Sequence, residues 1–215
     1  MHRSRIEYGH WAWNPVIGCK YGCSYCWARR QAERGMGIYG AWPKGWRFEP
    51  RLLTGRLAEP KSVRTPSRIL VCFMGDLFGE WVPRLWIQSV LNTIKETPQH
   101  RYVLLTKNPA RYGGLTLPPN AWGGTTVTGG GDRRRILDLN QALPTSMPRW
   151  VSYEPVLGPF PTKLLQHKAI NWLVIGAQTG PRGRPPGRSR PFRLRGGQTR
   201  TTAPGSGDGR REDSG

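Results

Sequence analysis

The stretch RILVCFMGDLFGEWVPRLWIQSVLNTIKETPQHRYVLLT, residues 68–106, decides the fold. It opens with an apolar, β-branched run from Arg68 to Phe73, which suits a strand buried on both faces. A loop follows, and Pro83, with its fixed φ and missing N–H, suits a helix start. From Leu85 to Glu96 the apolar residues Leu85, Ile87, Val90, Leu91 and Ile94 form one helical stripe. Arg101 to Thr106 is then a second apolar strand. Strand, helix and strand in succession predict a parallel βαβ unit, because parallel strands need a long crossover.

The same rhythm continues downstream. WGGTTVT (122–128) reads as a third strand, and Asp132 to Leu143 as a helix with Asp132 at its cap. RWVSY (149–153) is a fourth strand, Pro161 to His167 a short helix, and NWLVIG (171–176) a fifth strand. Upstream, YGHWAWNPVIG (8–18) has room for a short strand and a loop, and Trp27 to Met36 for one or two helical turns. Residues 37–66, with Trp42, Trp46, Pro43, Pro50, Pro60 and Pro66, read as an irregular insert. Alternating strands and helices predict an α/β fold with a parallel sheet, either open or a partial barrel. In both, ligands gather at the loops after the C-terminal ends of the strands. Those ends carry Gly75, Asp76, Thr106, Lys107, Thr128, Glu154, Gln178 and Thr179.

Length and charge set the remaining bounds. The 215 residues suffice for one core. Beyond Gly180 the chain has nine Arg against three acids and no helical or strand period. Residues 181–215 are therefore predicted to be a basic, disordered tail beside one α/β domain over 1–180. The net charge is +20, and subtracting the tail's +6 leaves +14 for residues 1–180. A surface this basic favours polyanions, and nucleic acid is an expected partner. No signal segment or bilayer-length apolar run is present, so a membrane is not expected and the cytoplasm is the expected compartment.

The four cysteines point to metal chemistry. Cys19, Cys23 and Cys26 follow C-x3-C-x2-C, too tight for a useful disulfide and leaving an odd thiol. Thiolates are the soft ligands of iron–sulfur clusters. Three of them hold three irons of a [4Fe–4S] cubane and leave the fourth open to a ligand. Gly18 and Gly22 allow the chain to wrap closely. The alternative is a structural zinc with a fourth ligand from Cys72 or His10. Cys72, inside an apolar strand, reads more simply as a small buried hydrophobe.

CKYGCSYC (19–26) resembles the signature of the radical S-adenosylmethionine (SAM) superfamily. That resemblance implies a full or partial (β/α) barrel, a [4Fe–4S] cluster on the three cysteines, SAM chelated to the open iron, and an external one-electron reductant. It also implies that reductive cleavage of SAM yields a radical that takes hydrogen from a substrate, and that Tyr25 packs near the adenine. Five blocks resemble the phage Gp37/Gp68-like family, a domain of unknown function. They are WNPVIGCKYGCSYCWARR (13–30), VCFMGDLFGEWVP (71–83), VLLTKNPARY (103–112), VSYEPVLGP (151–159) and NWLVIGAQTGP (171–181).

Within these blocks the resemblance nominates Asn14, beside Trp13, ahead of the cluster loop. It nominates Asp76 and Glu154 for ribose hydroxyls or the SAM amino group, and Lys107 for a carboxylate or phosphate. Simpler roles are a turn cap for Asp76 and an arginine pair for Glu154. Trp11, Trp13, Trp42 and Trp46 suit base stacking or core filling. The chain departs from the family at Gln178, where relatives often carry Glu. It departs again after residue 181, where relatives continue with a helix and a last strand. The implied consequence is a truncated or frameshifted end with an uncovered parallel edge. The expected function is SAM cleavage acting on an unidentified substrate, nucleic acid being one candidate. The alternative is a non-catalytic nucleic-acid-binding protein with a structural zinc.

Overall fold

The structure is a computed structural model that describes residues 1–33, 48–162 and 170–178, with the backbone of 190–192. Its strands are β1 (His2–Arg3), β2 (Trp11–Trp13), β3 (Val16–Ile17), β4 (Arg51–Leu52), β5 (Arg68–Val71), β6 (Arg101–Thr106), β7 (Ala121–Val127), β8 (Arg149–Tyr153), β9 (Trp172–Ile175) and β10 (Arg190–Phe192). The helices are α1 (Trp27–Glu33), α2 (Arg84–Glu96) and α3 (Arg133–Ala142). The helix expected over 161–167 falls mostly outside the described residues, as do Trp42, Pro43 and Trp46. Of the irregular insert, β4 and two short helical turns, Thr54–Arg56 and Glu59–Ser62, are described.

One sheet of eight strands has the order β1-β2-β5-β6-β7-β8-β9-β10. From β2 to β9 every pairing is parallel. Each of these strands lies beside the next one of the series in the chain, with no reversal of order. The sheet is mixed α/β and open, with no closed barrel among the described residues. β1 and β10 pair antiparallel at its two edges.

Within the stretch read as a tail, β10 forms at 190–192 and pairs antiparallel with the outer edge of β9. The apolar period missed it because edge pairing is made by backbone N–H and C=O groups, which an Arg-Pro sequence still offers.

Side chains alternate between two faces. Ile69, Val71, Tyr102, Leu104 and Val151 pack with Ile87, Val90, Leu91 and Ile94 of α2 and Ile136 and Leu139 of α3. Leu70, Val103, Trp150 and Val174 instead pack with Tyr8. Both faces are buried, as the continuous apolar runs require, but α2 and α3 cover only the first. Aromatic rings close the second: Tyr8 lies 5.8 Å from Trp150 and 5.1 Å from Trp172, between ring centroids. Trp150 donates its indole N–H to the Leu104 carbonyl at 2.9 Å. Its ring fills the place a Cβ would take on Gly124.

The helix ends are only partly as expected. Pro83 precedes α2 as its N-cap residue. Asp132 sits at the N-cap of α3 without a side-chain capping bond to a helix N–H, and its Oδ1 pairs with the Arg135 guanidinium at 2.9 Å. Its Oδ2 accepts from Thr128 N at 2.7 Å and Thr128 Oγ1 at 2.8 Å, closing the loop that leads in.

Candidate functional site

The cysteine loop is tied to the C-terminal end of β5. Gly18 N donates to the Met74 carbonyl at 3.0 Å, and Gly18 forms an isolated parallel bridge with Gly75. Gly18 sits at φ +84°, and a Cβ there would strike the backbone carbonyl of Glu49. This position therefore takes only glycine. Cys19 N donates to the Phe48 carbonyl at 3.0 Å, and Cys26 N to the Cys23 carbonyl at 3.1 Å. Arg29, in the first turn of α1, reaches both ends of the loop. Its N–H donates to Cys26 Sγ at 3.3 Å, and its Nη2 to the Cys19 carbonyl at 3.4 Å.

Cys19, Cys23 and Cys26 are free and half-buried. All three line one cavity of about 500 Å³, together with Tyr25, Asp76, Lys107 and Glu154. Seven of the eight nominated residues thus share a space that lies past the C-terminal ends of β5, β6 and β8. Among the described residues no three His, Cys, Asp or Glu side chains are gathered as a single metal ion would need.

The eighth, Asn14, stands apart. It is buried, and its Oδ1 accepts from Met74 N at 2.9 Å. That bond pins the segment after β2 to the segment after β5, a structural use of the side chain. Trp13 is fully buried and donates its indole N–H to the Arg56 carbonyl at 2.7 Å, and so fills the core. Trp11 lies half-buried, 4.3 Å from ring centroid to the Arg3 guanidinium. Neither offers a free ring to a base. His10 accepts from Arg68 N at 3.2 Å, at the N-terminal end of β5 and away from the cysteines, so it is no fourth ligand. Thr128 is bonded to Asp132 and does not line the cavity. Thr179 lies outside the described residues.

Burial dominates the electrostatics. It pushes the Cys19 thiol up to about 11, and the neighbouring Asp76 adds to that while Lys107 opposes it. A thiol held so high is a weak nucleophile, and a metal is the usual means of ionising it. Burial also raises Asp76, although three donors favour its charged form. Its Oδ1 accepts from Thr106 Oγ1 at 2.7 Å and Phe78 N at 3.0 Å, and its Oδ2 from Lys107 N at 2.9 Å. Asp76 is thus the turn cap its position suggested and also a cavity wall. Lys107 Nζ lies 5.6 Å from the centroid of the Tyr25 ring, a cation–π distance. Glu154 Oε2 accepts from Ser152 Oγ at 3.1 Å, and Glu154 is hydrogen-bonded to Tyr8.

Several lining residues were not foreseen from the sequence. Tyr8, Trp27, Phe73 and Ser152 face the cavity beside the nominated set. Ser152 was detectable in principle, since it lies on the face of β8 that carries Trp150 and two residues before Glu154, which follows the strand's end. Tyr8 was not, because its place depends on how the chain before β2 folds across the sheet. Cys72 is buried, as its apolar strand suggested, but it also lines the cavity from φ +57°, and burial pushes its thiol up to about 12.

No helix of the described residues is long and apolar enough to cross a membrane. No curated protein and no solved structure matches the chain. A family model does match, over residues 3–201, and carries the description protein of unknown function (DUF5131). With nearly its whole length matched, the chain belongs to that family.

Proposed function

We propose that this chain is an enzyme of radical SAM type, with a [4Fe–4S] cluster on Cys19, Cys23 and Cys26 and SAM in the adjoining cavity. The carrying observation is that one cavity takes in all three cysteines together with Tyr25, Asp76, Lys107 and Glu154. The donor set fits the group. The ligands are soft, their loop is closed at both ends by Arg29, and the raised Cys19 thiol needs a cation to ionise. A cubane holds its thiolates farther apart than one zinc ion does, which suits cysteines that surround a cavity without meeting at a point. The unbroken strand order from β2 to β9, with α2 and α3 packed on one face, supports a partial (β/α) barrel as the frame.

When bound, such a cluster with one open iron supplies reductive cleavage of the sulfonium and hydrogen abstraction from a substrate. The chain's own residues have narrower tasks. Lys107 offers a cation to the SAM carboxylate, and Asp76 fixes where that cation starts by holding Lys107 N. Tyr25, steadied by Lys107, gives a flat face for the adenine. Glu154 accepts hydrogen bonds from an amino group or from ribose hydroxyls. The electron comes from an external reductant.

The test is SAM turnover. Anaerobically reconstituted protein, given SAM and dithionite, is expected to release 5′-deoxyadenosine and methionine. SAM left intact beside a full cluster contradicts the proposal.

A further inference from the structure

The cavity extends beyond the cysteines. Trp27, the first residue of α1, is 42% exposed and lines it. Among the described residues it is the one aromatic in the group of large apolar side chains left exposed. Arg5, also exposed, lines the same space. Further in are Phe73, whose ring centroid is 6.5 Å from that of Tyr8, and the hydrogen-bonding side chains Glu154 and Gln178. A flat open ring, a cation and inner polar groups together select a ligand with a planar heterocycle, polar edges and an attached anion.

Residues 1–180 carry +14 without the tail, so the anion favoured at long range is a polyanion. A base inside a duplex cannot enter a cavity, whereas an unpaired one can. We propose that the cavity mouth takes an unpaired base of a single-stranded polynucleotide, stacked on Trp27, with its phosphate met by Arg5. This rests on the SAM reading for what becomes of the base, but not for the binding itself.

The test uses the full chain and fluorescence anisotropy with labelled single-stranded DNA, single-stranded RNA and a duplex of the same sequence. Wild type is expected to prefer single strands, and the DNA and RNA arms show which sugar is taken. Trp27→Ala is expected to weaken single-strand binding about tenfold with an unchanged salt slope. Arg5→Gln is expected to make that slope shallower by about 0.7. Trp27→Phe, which keeps a ring and guards against misfolding, is expected to retain most of the affinity. The proposal is overturned if Trp27→Ala binds single strands like wild type, or if wild type binds duplex equally well, since general charge would then explain the affinity. It is also overturned if Trp27→Ala loses SAM binding alone, which would assign Trp27 to the cofactor. A Trp27-dependent preference in protein that never takes up iron would instead uphold this site and sink the SAM reading.

Discussion

The helix-covered face of the sheet and the cysteine loop are held by different physics. On the first, Ile69, Val71, Leu104 and Val151 meet α2 and α3 in a continuous hydrophobic core. In the second, Cys19 and Cys26 join a small cluster of Ile17, Ala28, Ala32, Phe48 and Met74. The loop's shape comes instead from backbone hydrogen bonds, Gly18 at positive φ and the two contacts of Arg29. The first face supplies stability, and the second presents half-buried polar and thiol groups that packing alone does not use. Substitutions in the two regions should therefore separate folding from metal binding.

The largest effect is expected in the loop. Cys23→Ala should abolish iron retention after anaerobic reconstitution while leaving the far-ultraviolet circular dichroism and the unfolding midpoint of the metal-free protein near wild type. Iron retained at wild-type levels would remove Cys23 from the ligand set.

The reverse outcome is expected on the helix face. Ile94→Ala, at a fully buried position of α2, should cost about 2–5 kcal/mol in denaturant unfolding. Iron per folded chain should be unchanged. A loss of iron without a loss of stability would break the separation.

The boundary between the regions is Asp76. Asp76→Asn replaces an acceptor facing Lys107 N or Thr106 Oγ1 with an NH2 donor, and should cost about 1–3 kcal/mol near neutral pH. The wild-type carboxyl has a folded pKa above its ordinary value of 3.8 because of burial. Its folded state therefore binds the proton more tightly than its unfolded state. The resulting stabilisation is complete below the ordinary value and is lost as pH rises through the raised one. Asp76→Asn should flatten that part of the stability–pH curve, and an unchanged slope would show that Asp76 does not titrate in this way.

The same division explains what the sequence revealed. Strands β5 to β9 and helix α2 were legible because burial imposes an apolar period on Ile69, Val103, Val151 and their neighbours. Asp76, Lys107 and Glu154 were legible as a set because parallel sheets place polar residues at their C-terminal ends. Tyr8 and Trp27 were hidden because their roles depend on chain paths that carry no period. β10 was hidden because an edge strand is recruited through its backbone. Asn14 was nominated from its place in a block, and its side chain proved to be engaged with Met74 N.

The central claim is that the three thiols hold a cluster with one open iron. Iron and sulfide content, with electron paramagnetic resonance of the reduced protein with and without SAM, tests it most directly. The account predicts about four irons and four sulfides per chain and a spectrum that changes when SAM is added. Tightly bound zinc with no iron after reconstitution, or a cluster spectrum indifferent to SAM, would contradict it.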